Sequence, residues 1–396
     1  MRIDFETMKR SMKRWPFWAS TTALVAVLFL LLPNRSSALD LKWRPSGTPG
    51  MQYATVVVPG NIAGKVVKVD LTNTNLEIGC TLANDTIFGL NTISEQAAAI
   101  PPEIGIGVAG LTGDFFKREN ETFPGDPRGL MIWRGEWVSS PVDNDCLWFD
   151  ENGKPQGGRV TSKLAVQWPD GSSTPLALDE ERLPGRAVLY TPTLGGATRT
   201  RGGREIILEA DGKGPWLPLQ IGNVYAGKVR EVKETGNSRV PKGCMIVSLD
   251  PSVAARVPKV EAGASLKIIA QTTPSLAKVK YALGGGPLLV SEGKGLAPHV
   301  YKADERHPRT AFGWNSTNAF LLVIDGRQAH SRGASLTELG TILADMGCTT
   351  AINMDGGGSA ELMMEGKVLN SPSDGYERVT ANALVVIRKP KAKPTP

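Results

Sequence analysis

The sequence is poor in the residues that form metal centres and disulfide frameworks. Its 396 residues include only four cysteines and three histidines, and no two cysteines are spaced as Cys-x-x-Cys. A structural zinc site, which needs four such ligands, is therefore not expected. No Gly-x-Ser-x-Gly segment occurs with a plausible histidine, which argues against a serine nucleophile. We expect no cofactor and no required metal, although carboxylates beside a phosphate leave Mg²⁺ or Ca²⁺ open.

The net positive charge is small outside the chain ends. Residues 1–38 hold six Lys or Arg and two acidic residues, so they carry four of the six net positive charges. Further lysines stand in the Pro-rich tail at residues 389–396, which we expect to be disordered. No basic face interleaved with aromatic residues remains, so we expect no nucleic-acid partner.

Long apolar runs are absent except near the N-terminus. There, residues 15–32 are mostly apolar, basic residues precede them, and a Ser-Ser-Ala segment follows at residues 36–38. This order is typical of a signal peptide, here residues 1–38. An uncleaved anchor in residues 15–32 is the alternative, because the run approaches the length that spans a bilayer. In both cases we predict an exported protein, secreted or periplasmic, that meets a membrane only through such an anchor.

The cysteines are few but compatible with export. They are Cys80, Cys146, Cys244 and Cys348. Disulfides persist in oxidising compartments, and four cysteines allow three pairings. We therefore expect at least one disulfide and leave the pairing open.

Glycine and proline, in contrast, are plentiful, at 44 and 28 residues, which predicts a strand-rich chain with many turns. We divide the exported part into a β-rich N-terminal segment, residues 39–103, and a catalytic domain, residues 104–388. Within that domain, residues from about 159 to 273 show short strands broken by Pro and Gly, with little helical periodicity. This stretch is interpreted as a β-rich insertion.

The segment from residue 319 to 359 gives the clearest topology. One apolar strand ends at Asp325, a capping box at Ser335 begins an amphipathic helix, and a second apolar strand ends at Asp355. This order predicts a βαβ unit with parallel strands. The predicted fold class is therefore α/β, mixed and β-rich, with a βαβ-containing central sheet. Both aspartates would lie at one edge of that sheet, where ligands bind in open α/β folds.

Asp355 and Asp325 are the candidate catalytic carboxylates. Two carboxylates that share a site can differ in pKa, as glycosidic hydrolysis usually requires. For Asp325, a turn-forming Asp-Gly is the alternative. Arg309 and, less strongly, Arg332 are candidate partners for an anionic substrate, because guanidinium binds phosphate oxygens in a planar fork. An aspartic protease is a poor match, since Gly follows each Asp where a catalytic loop has Thr or Ser.

Two glycine triplets, at residues 284–286 and 356–358, accompany these residues. Successive glycine N–H groups can form an anion-binding nest. We therefore predict substrate contacts at Gly285, Gly286, Gly356, Gly357 and Gly358. The alternative is that both triplets are tight turns of a β-rich protein.

The motifs of this region resemble, in order, those of the phosphodiester glycosidase family. They include RHPRTAFG, LLVIDGRQAHSRGASLTELG, INMDGGGS and NSPSDGYER. The family's type member is an N-acetylglucosamine-1-phosphodiester α-N-acetylglucosaminidase. The resemblance implies hydrolysis of a sugar-1-phosphodiester in a phosphorylated carbohydrate or an envelope glycan, giving free sugar and a phosphomonoester. It also implies roles for Arg309, Asp325, Arg327, Ser331, Asn353, Asp355, Ser359, Asn370 and Arg378.

One earlier motif departs from that family. Members resemble Asn-Gly-x-Phe-Phe where residues 112–116 of this chain read Thr-Gly-Asp-Phe-Phe. If the family's Asn contacts the sugar, substrate preference differs here.

Two other functions stay open at this stage. A non-catalytic envelope protein would bind a glycan or cell-wall polymer through the same edge without cleaving it. A phosphodiesterase would instead cut the P–O bond on the other side of the linkage. Release of free sugar separates the first alternative from the glycosidase, and labelled water separates the second.

Overall fold

The computed structural model describes residues 39–391. The predicted signal peptide or anchor and the last residues of the predicted tail lie outside the described residues. Within the described range, no helix is both long and apolar enough to cross a membrane.

Strands dominate the described chain. Those before residue 160 are β1 (Arg44–Pro45), β2 (Met51–Val58), β3 (Ile62–Asp70), β4 (Leu76–Leu82), β5 (Ile106–Thr112), β6 (Met131–Trp133), β7 (Glu136–Ser139), β8 (Asp145–Phe149) and β9 (Pro155–Arg159). The next group is β10 (Thr161–Gln167), β11 (Ser173–Pro175), β12 (Ala177–Leu178), β13 (Ala187–Tyr190), β14 (Arg204–Ala210), β15 (Val224–Lys233), β16 (Met245–Leu249) and β17 (Ser265–Thr273). The last group is β18 (Ala282–Leu283), β19 (Leu288–Ser291), β20 (Lys294–Gly295), β21 (Arg309–Trp314), β22 (Asn318–Ile324), β23 (Thr350–Met354), β24 (Leu362–Met364), β25 (Lys367–Val368) and β26 (Asn382–Arg388).

Helices are few and short. The α-helices are α1 (Ile93–Ala98), α2 (Pro251–Ala254) and α3 (Leu336–Asp345), and 3-10 turns cover Ala83–Asp85, Pro192–Leu194 and Gly357–Ser359. Helix α3 begins with the predicted capping box. Ser335 Oγ accepts from the Glu338 N–H at 3.1 Å, and the Glu338 carboxylate accepts from the Ser335 N–H at 2.9 Å. Glu338 also pairs with Arg306, which ties the helix start to the segment before β21.

The prediction of an α/β fold with a βαβ-containing central sheet is wrong. The described chain is mostly β, and its sheet neighbours are antiparallel except for the short pair of β12 and β13. Strands β22 and β23 do point the same way, but β21 lies between them, antiparallel to both. The reason is a hairpin: Asn315 Oδ1 accepts from the N–H groups of Thr317 and Asn318, which closes the short loop between β21 and β22. A loop this short makes its two strands antiparallel neighbours.

The strands form four sheets. The first has the order β1-β2-β3-β22-β21-β23-β19-β20, and the second, β11-β10-β17-β15-β14-β16-β13-β12, contains the strands of residues 161–273. The third is β7-β6-β18-β8-β9 and the fourth is β25-β24-β5-β26-β4.

Two apolar cores hold these sheets together. The larger joins the first sheet to the fourth, with fully buried Leu321 and Ile352 on one side and Leu111 and Leu384 on the other. A second core lies under the sheet of residues 161–273 and includes Tyr225. Each fully buried Leu or Ile contributes about 1.5–3 kcal/mol. The cores therefore fix the strands whose ends form the site described below.

The expected disulfide is not formed. All four cysteines are buried free thiols, each on a different segment of the fold. They pack as small apolar residues: Cys80 and Cys244 lie in the larger core, Cys146 in the second, and Cys348 against Gly313. Burial raises the pKa of Cys146 and Cys348 to about 12, so these thiols stay protonated and unreactive at neutral pH.

The capping box of α3 gives a stability prediction. Ser335→Ala removes the acceptor for the Glu338 N–H and should lower the free energy of unfolding by about 1 kcal/mol. Urea denaturation measures the change. Thr337→Ala, in the first turn of the same helix, is the matched control and should stay within about 0.5 kcal/mol of the parent. Equal loss in both variants would contradict a specific role for the cap.

Candidate functional site

Three strand ends form the candidate site. Asp325 follows the last residue of β22, and Asp355 follows the last residue of β23. Strand β21 runs the opposite way, and its first residue, Arg309, pairs with Ile324 at the end of β22. The register therefore brings Asp325, Arg309 and Asp355 to one edge of the sheet, which we call the aspartate edge.

A cleft of about 380 Å³ opens at the aspartate edge. Its lining residues are Phe115, Asn144, Gly286, Pro287, Val300, Tyr301, Lys302, His307, Arg309, Arg327, Leu336, Asn353, Met354, Asp355, Gly356 and Gly357. Asp355 and Arg309 share this cleft, whereas Asp325 is not part of its lining. Asp355 is the single carboxylate among these lining residues.

The carboxylate of Asp355 is half-buried, and its Oδ1 accepts from the Gly356 N–H at 2.9 Å. Burial raises the pKa of Asp355 to about 6, although the Ser359 hydroxyl, the Gly356 N–H and the positive charges of Arg378 and Arg118 lower it. The group is therefore ionised at neutral pH and takes up a proton in mildly acidic solution. A carboxylate in that range suits general-base chemistry.

Asp325 is buried, 5% exposed, and its carboxylate oxygens are occupied. Oδ1 accepts from Asn370 Nδ2 at 3.2 Å and from the Ser371 N–H at 2.9 Å, while Oδ2 lies 3.1 Å from His330 Nε2. Asp325 thus fixes the loop at residues 370–371 to the end of β22. Asp325 lies at the same edge as Asp355 but not among the residues that line the cleft, so a site shared by the two carboxylates stays a prediction.

Positive charge lines the cleft near Asp355. The guanidinium of Arg309 donates to the carbonyls of Ala334 at 3.0 Å and Glu305 at 2.8 Å. Arg327 Nη2 lies 3.4 Å from His307 Nδ1. In the part of the chain that the structure describes, no carboxylate forms an ion pair with Arg309. Because carbonyl groups hold it, its charge stays available to an anion in the cleft.

The glycine triplets shape the cleft, but several of their N–H groups are already used. The Gly286 N–H donates to the Asn353 carbonyl and the Gly357 N–H to the Pro308 carbonyl, each at 2.8 Å. A Cβ at Gly285 would come within 2.8 Å of the Asn353 carbonyl. These glycines permit close approach between main-chain segments and do not present the row of free donors that a nest requires.

The guanidinium of Arg378 packs against the second glycine triplet, residues 356–358. Its Nη1 donates to Ser359 Oγ at 3.4 Å, and Asp374 pairs with the same guanidinium. A Cβ at Gly358 would collide with this guanidinium, so only glycine lets Arg378 lie across the turn. Ser359 in turn hydrogen-bonds Asp355, so Arg378 acts on the carboxylate through Ser359 and through its own charge.

The remaining predicted residues differ in position. Asn353 lines the cleft: its Nδ2 donates to the Gly286 carbonyl at 3.1 Å, and its buried Oδ1 has no partner among the described residues. Ser331 is buried and donates to the Asp325 carbonyl at 2.6 Å, which stabilises the turn after β22. Arg332 is exposed and is not among the residues that line the cleft.

Sequence reasoning did not select several residues of the cleft wall. Phe115 had a signal, because it belongs to the motif at residues 112–116. Tyr301, which is 87% exposed, and Asn144 lie in loops without periodicity or motif, so nothing in the sequence marked them. Among residues 39–391, no group of three or more His, Cys, Asp or Glu is arranged to hold a metal ion.

This chain matches a known protein family and a curated sequence. The sequence model of the family described as phosphodiester glycosidase matches residues 220–387. The SPbeta prophage-derived uncharacterized protein YomE of Bacillus subtilis (strain 168) is 35% identical over 82 residues. That alignment covers 20% of this chain and 13% of YomE, so this chain matches a small part of that relative.

Solved structures share the fold. A hypothetical protein from Synechocystis has a TM-score of 0.70 at 19% identity, over 88% of this chain and 64% of its own. A putative exported protein from Burkholderia pseudomallei K96243 has a TM-score of 0.64 at 22% identity, over 82% of this chain and 74% of its own. The zebrafish N-acetylglucosamine-1-phosphodiester alpha-N-acetylglucosaminidase catalytic domain is more distant. Its TM-score is 0.45 at 13% sequence identity, over 88% of this chain and 87% of the zebrafish chain.

The family match covers the region that forms the aspartate edge. It includes both glycine triplets, strands β21 to β23, and Arg378. The resemblance stated from the motifs is therefore confirmed. Over residues 220–387, this chain matches the phosphodiester glycosidase family.

Proposed function

We propose that this protein is a hydrolase that cleaves a sugar-1-phosphodiester between the anomeric carbon and the phosphate oxygen. The products are a free sugar and a phosphomonoester. The observation that carries the proposal is a single cleft that holds Asp355, with its raised pKa, beside Arg309 and Arg327. The family match supports a glycosidase-type hydrolase.

The charges of the cleft suit an anionic linkage. A guanidinium can bind two phosphate oxygens at once, and Arg309 has no competing carboxylate partner in the described chain. The buried Oδ1 of Asn353 lacks a partner, and leaving such a group unpaired costs about 1–3 kcal/mol. A sugar hydroxyl donating to this oxygen would remove that cost. The substrate would therefore lie with its phosphate on the arginines and its sugar toward Asn353 and Asp355.

Asp355 would act as the general base at the anomeric carbon. Its carboxylate takes a proton from water while the water oxygen bonds to that carbon. The bond from the carbon to the phosphate oxygen breaks, and its electron pair leaves with the phosphate. A phosphate leaving group is weakly basic, so little acid assistance is needed, and positioning with electrostatic stabilisation supplies most of the acceleration. Direct attack by water inverts the anomeric centre.

Removing the Asp355 carboxylate should abolish most activity. Asp355→Asn keeps the shape of the side chain and should lower kcat/KM at least ~100-fold with little change in unfolding free energy. The assay follows free sugar from UDP-N-acetylglucosamine or a synthetic N-acetylglucosamine-1-phosphodiester in ¹⁸O-labelled water. Label in the sugar supports the glycosidase, and label in the phosphate indicates cleavage of the P–O bond. Asp304→Asn, an exposed carboxylate outside the cleft, is the control; equal rates in both variants would exclude Asp355 from the chemistry.

The raised pKa of Asp355 gives a pH prediction. The base works only when ionised, so kcat/KM should fall roughly tenfold per unit as pH drops below about 6. An aspartate carboxyl with its ordinary pKa would place this fall near pH 3.8 instead. A phosphodiester stays ionised throughout, so the substrate does not contribute. His307→Gln tests whether the neighbouring imidazole causes the fall instead. That variant should keep the fall of kcat/KM at low pH, and absence of the fall would assign it to His307.

Asp325 should matter for stability more than for chemistry. Asp325→Ala removes the oxygen that accepts from the Asn370 side-chain amide and the Ser371 N–H, and should lower the unfolding free energy by about 1–3 kcal/mol. The kcat of the folded variant should fall less than about tenfold. Urea denaturation and rate measurements on the same samples test this. Unchanged stability with a loss of kcat as large as in Asp355→Asn would make Asp325 a catalytic group.

A non-catalytic glycan-binding protein is the second candidate. Glycosidic hydrolysis usually employs two carboxylates, and among the described residues Asp355 is the only carboxylate that lines this cleft. Binding of several sugar-1-phosphodiesters without release of sugar would favour this alternative.

We also propose that this protein is exported and acts on an envelope or exopolysaccharide glycan. The order of charge and apolar residues in residues 1–38 supports export, and the family resemblance supports the glycan.

A further inference from the structure

A smaller cavity lies beside the cleft, and the mechanism above does not use it. Its volume is about 170 Å³, room for a few heavy atoms when a water molecule takes roughly 30 Å³. It shares Phe115 and Asn144 with the cleft, and its lining continues to Asp114, Gly129 and Gly284. The cleft and this side cavity therefore adjoin at Phe115 and Asn144.

Asp114 lies in the wall of the side cavity and is 2% exposed. Its N–H donates to Asn382 Oδ1 at 2.7 Å, and its Oδ1 accepts from the Phe115 N–H at 2.8 Å. Its Oδ2 has no hydrogen bond of ordinary geometry to any described residue. Buried polar atoms nearly always have a partner, so this carboxyl oxygen in the wall of a cavity has hydrogen-bonding capacity left for a ligand.

Two glycines keep side chains away from that oxygen. A Cβ at Gly129 would come within 2.8 Å of Asp114 Oδ2, and a Cβ at Gly284 would come closer still. Neither glycine has a positive φ, so the backbone conformation does not require glycine at either place. What requires it is close packing, because a Cβ at either position would meet both the Asp114 carboxyl and the Cα of the other glycine.

The Asp114 carboxyl is neutral near pH 7. Burial raises the pKa of Asp114 to about 8, the N–H groups of Phe115 and Gly129 lower it, the charge of Asp355 raises it, and Arg128 lowers it. A neutral carboxyl carries an O–H donor. The donor can serve an acceptor atom placed in the side cavity.

The other polar groups of the side cavity do not supply a free charge. Asp145 lies 3.3 Å from Arg159, whose positive charge balances that of the carboxylate. Cys146 is a thiol, and burial raises its pKa to about 12. Arg128 pairs with Glu121 at 2.9 Å. An uncharged group is therefore the occupant that these surroundings favour.

We propose that the side cavity is a subsite for an uncharged, oxygen-bearing substituent of the substrate's sugar ring, with Asp114 donating a hydrogen bond to that oxygen. Asp114 is then a specificity-determining residue and takes no part in bond cleavage. The inference rests on the proposed function, because the cleft must hold the sugar for its substituent to reach this place.

The test compares Asp114→Asn, which keeps a donor of similar shape, with Asp114→Leu, which removes it. Calorimetry at pH 6.5 measures the affinity for N-acetylglucosamine 1-phosphate. Asp114→Leu should bind at least ~10-fold more weakly, and Asp114→Asn should stay within about threefold of the parent. Asp126→Asn is the matched control: Asp126 is also buried with an unpartnered oxygen and a pKa raised to about 7, but it lines neither cavity.

The pH dependence of binding distinguishes ligand contact by Asp114 from a merely structural role, which would leave that dependence unchanged. Affinity of the parent should fall above pH 8 as Asp114 ionises and loses its donor, while Asp114→Asn should bind equally at pH 7 and 9. That comparison decides the matter if Asp114→Leu does not fold. Equal affinity in Asp114→Leu and the parent, the same alkaline fall in Asp114→Asn, or no binding to the parent overturns the proposal. Failure of the proposed function would give a different result: the ligand would bind, but no sugar would be released from a sugar-1-phosphodiester.

Discussion

The antiparallel register of β21 against β22 and β23 is the constraint on which the candidate site depends. It puts the start of one strand beside the ends of two others, so a guanidinium and a carboxylate that are far apart in sequence share one cleft. A slip of one residue would turn Arg309 to the other face of the sheet and Thr310 into its place. The apolar core resists that slip, because Phe312 and Trp314, which lie on the same face of β21, would leave it together.

The edge of the sheet is also where loops are tied down. Asp325 holds the loop at residues 370–371, and Arg309 holds the segments on either side of it through their carbonyl groups. Arg378 holds the glycine turn through Ser359. Several polar residues of the family motifs therefore maintain the shape of the cleft, and Asp355 is the carboxylate that lines it.

Local features of the fold could be predicted from the sequence. The capping box at Ser335, the apolar strands before Asp325 and Asp355, and their arrival at one edge all follow from short-range patterns. The neighbour of each strand could not be predicted, because it was decided by the hairpin at Asn315, whose side-chain hydrogen bonds leave no periodic signature. The pattern of strand, helix and strand therefore predicted that β22 and β23 are parallel neighbours, although β21 lies between them.

The candidate site was predictable to a similar extent. Asp355 was selected because it ends an apolar strand before three glycines, and Arg309 because it stands between Pro308 and Thr310 at the entry to a strand. The role of Asp325 depends on partners at residues 370–371, which no local pattern connects to it. Tyr301 and Asn144 reach the cleft from irregular loops, and the free thiols depend on which cysteines the fold brings together. Each of these features follows from long-range packing.

A crystal structure with a non-hydrolysable sugar-1-phosphonate ester bound is the most direct measurement of the central claim. The account predicts the phosphonate on Arg309 and Arg327, the anomeric carbon facing Asp355, and one sugar substituent in the side cavity near Asp114. A ligand bound outside the cleft, or with its sugar turned away from Asp355, would contradict the account.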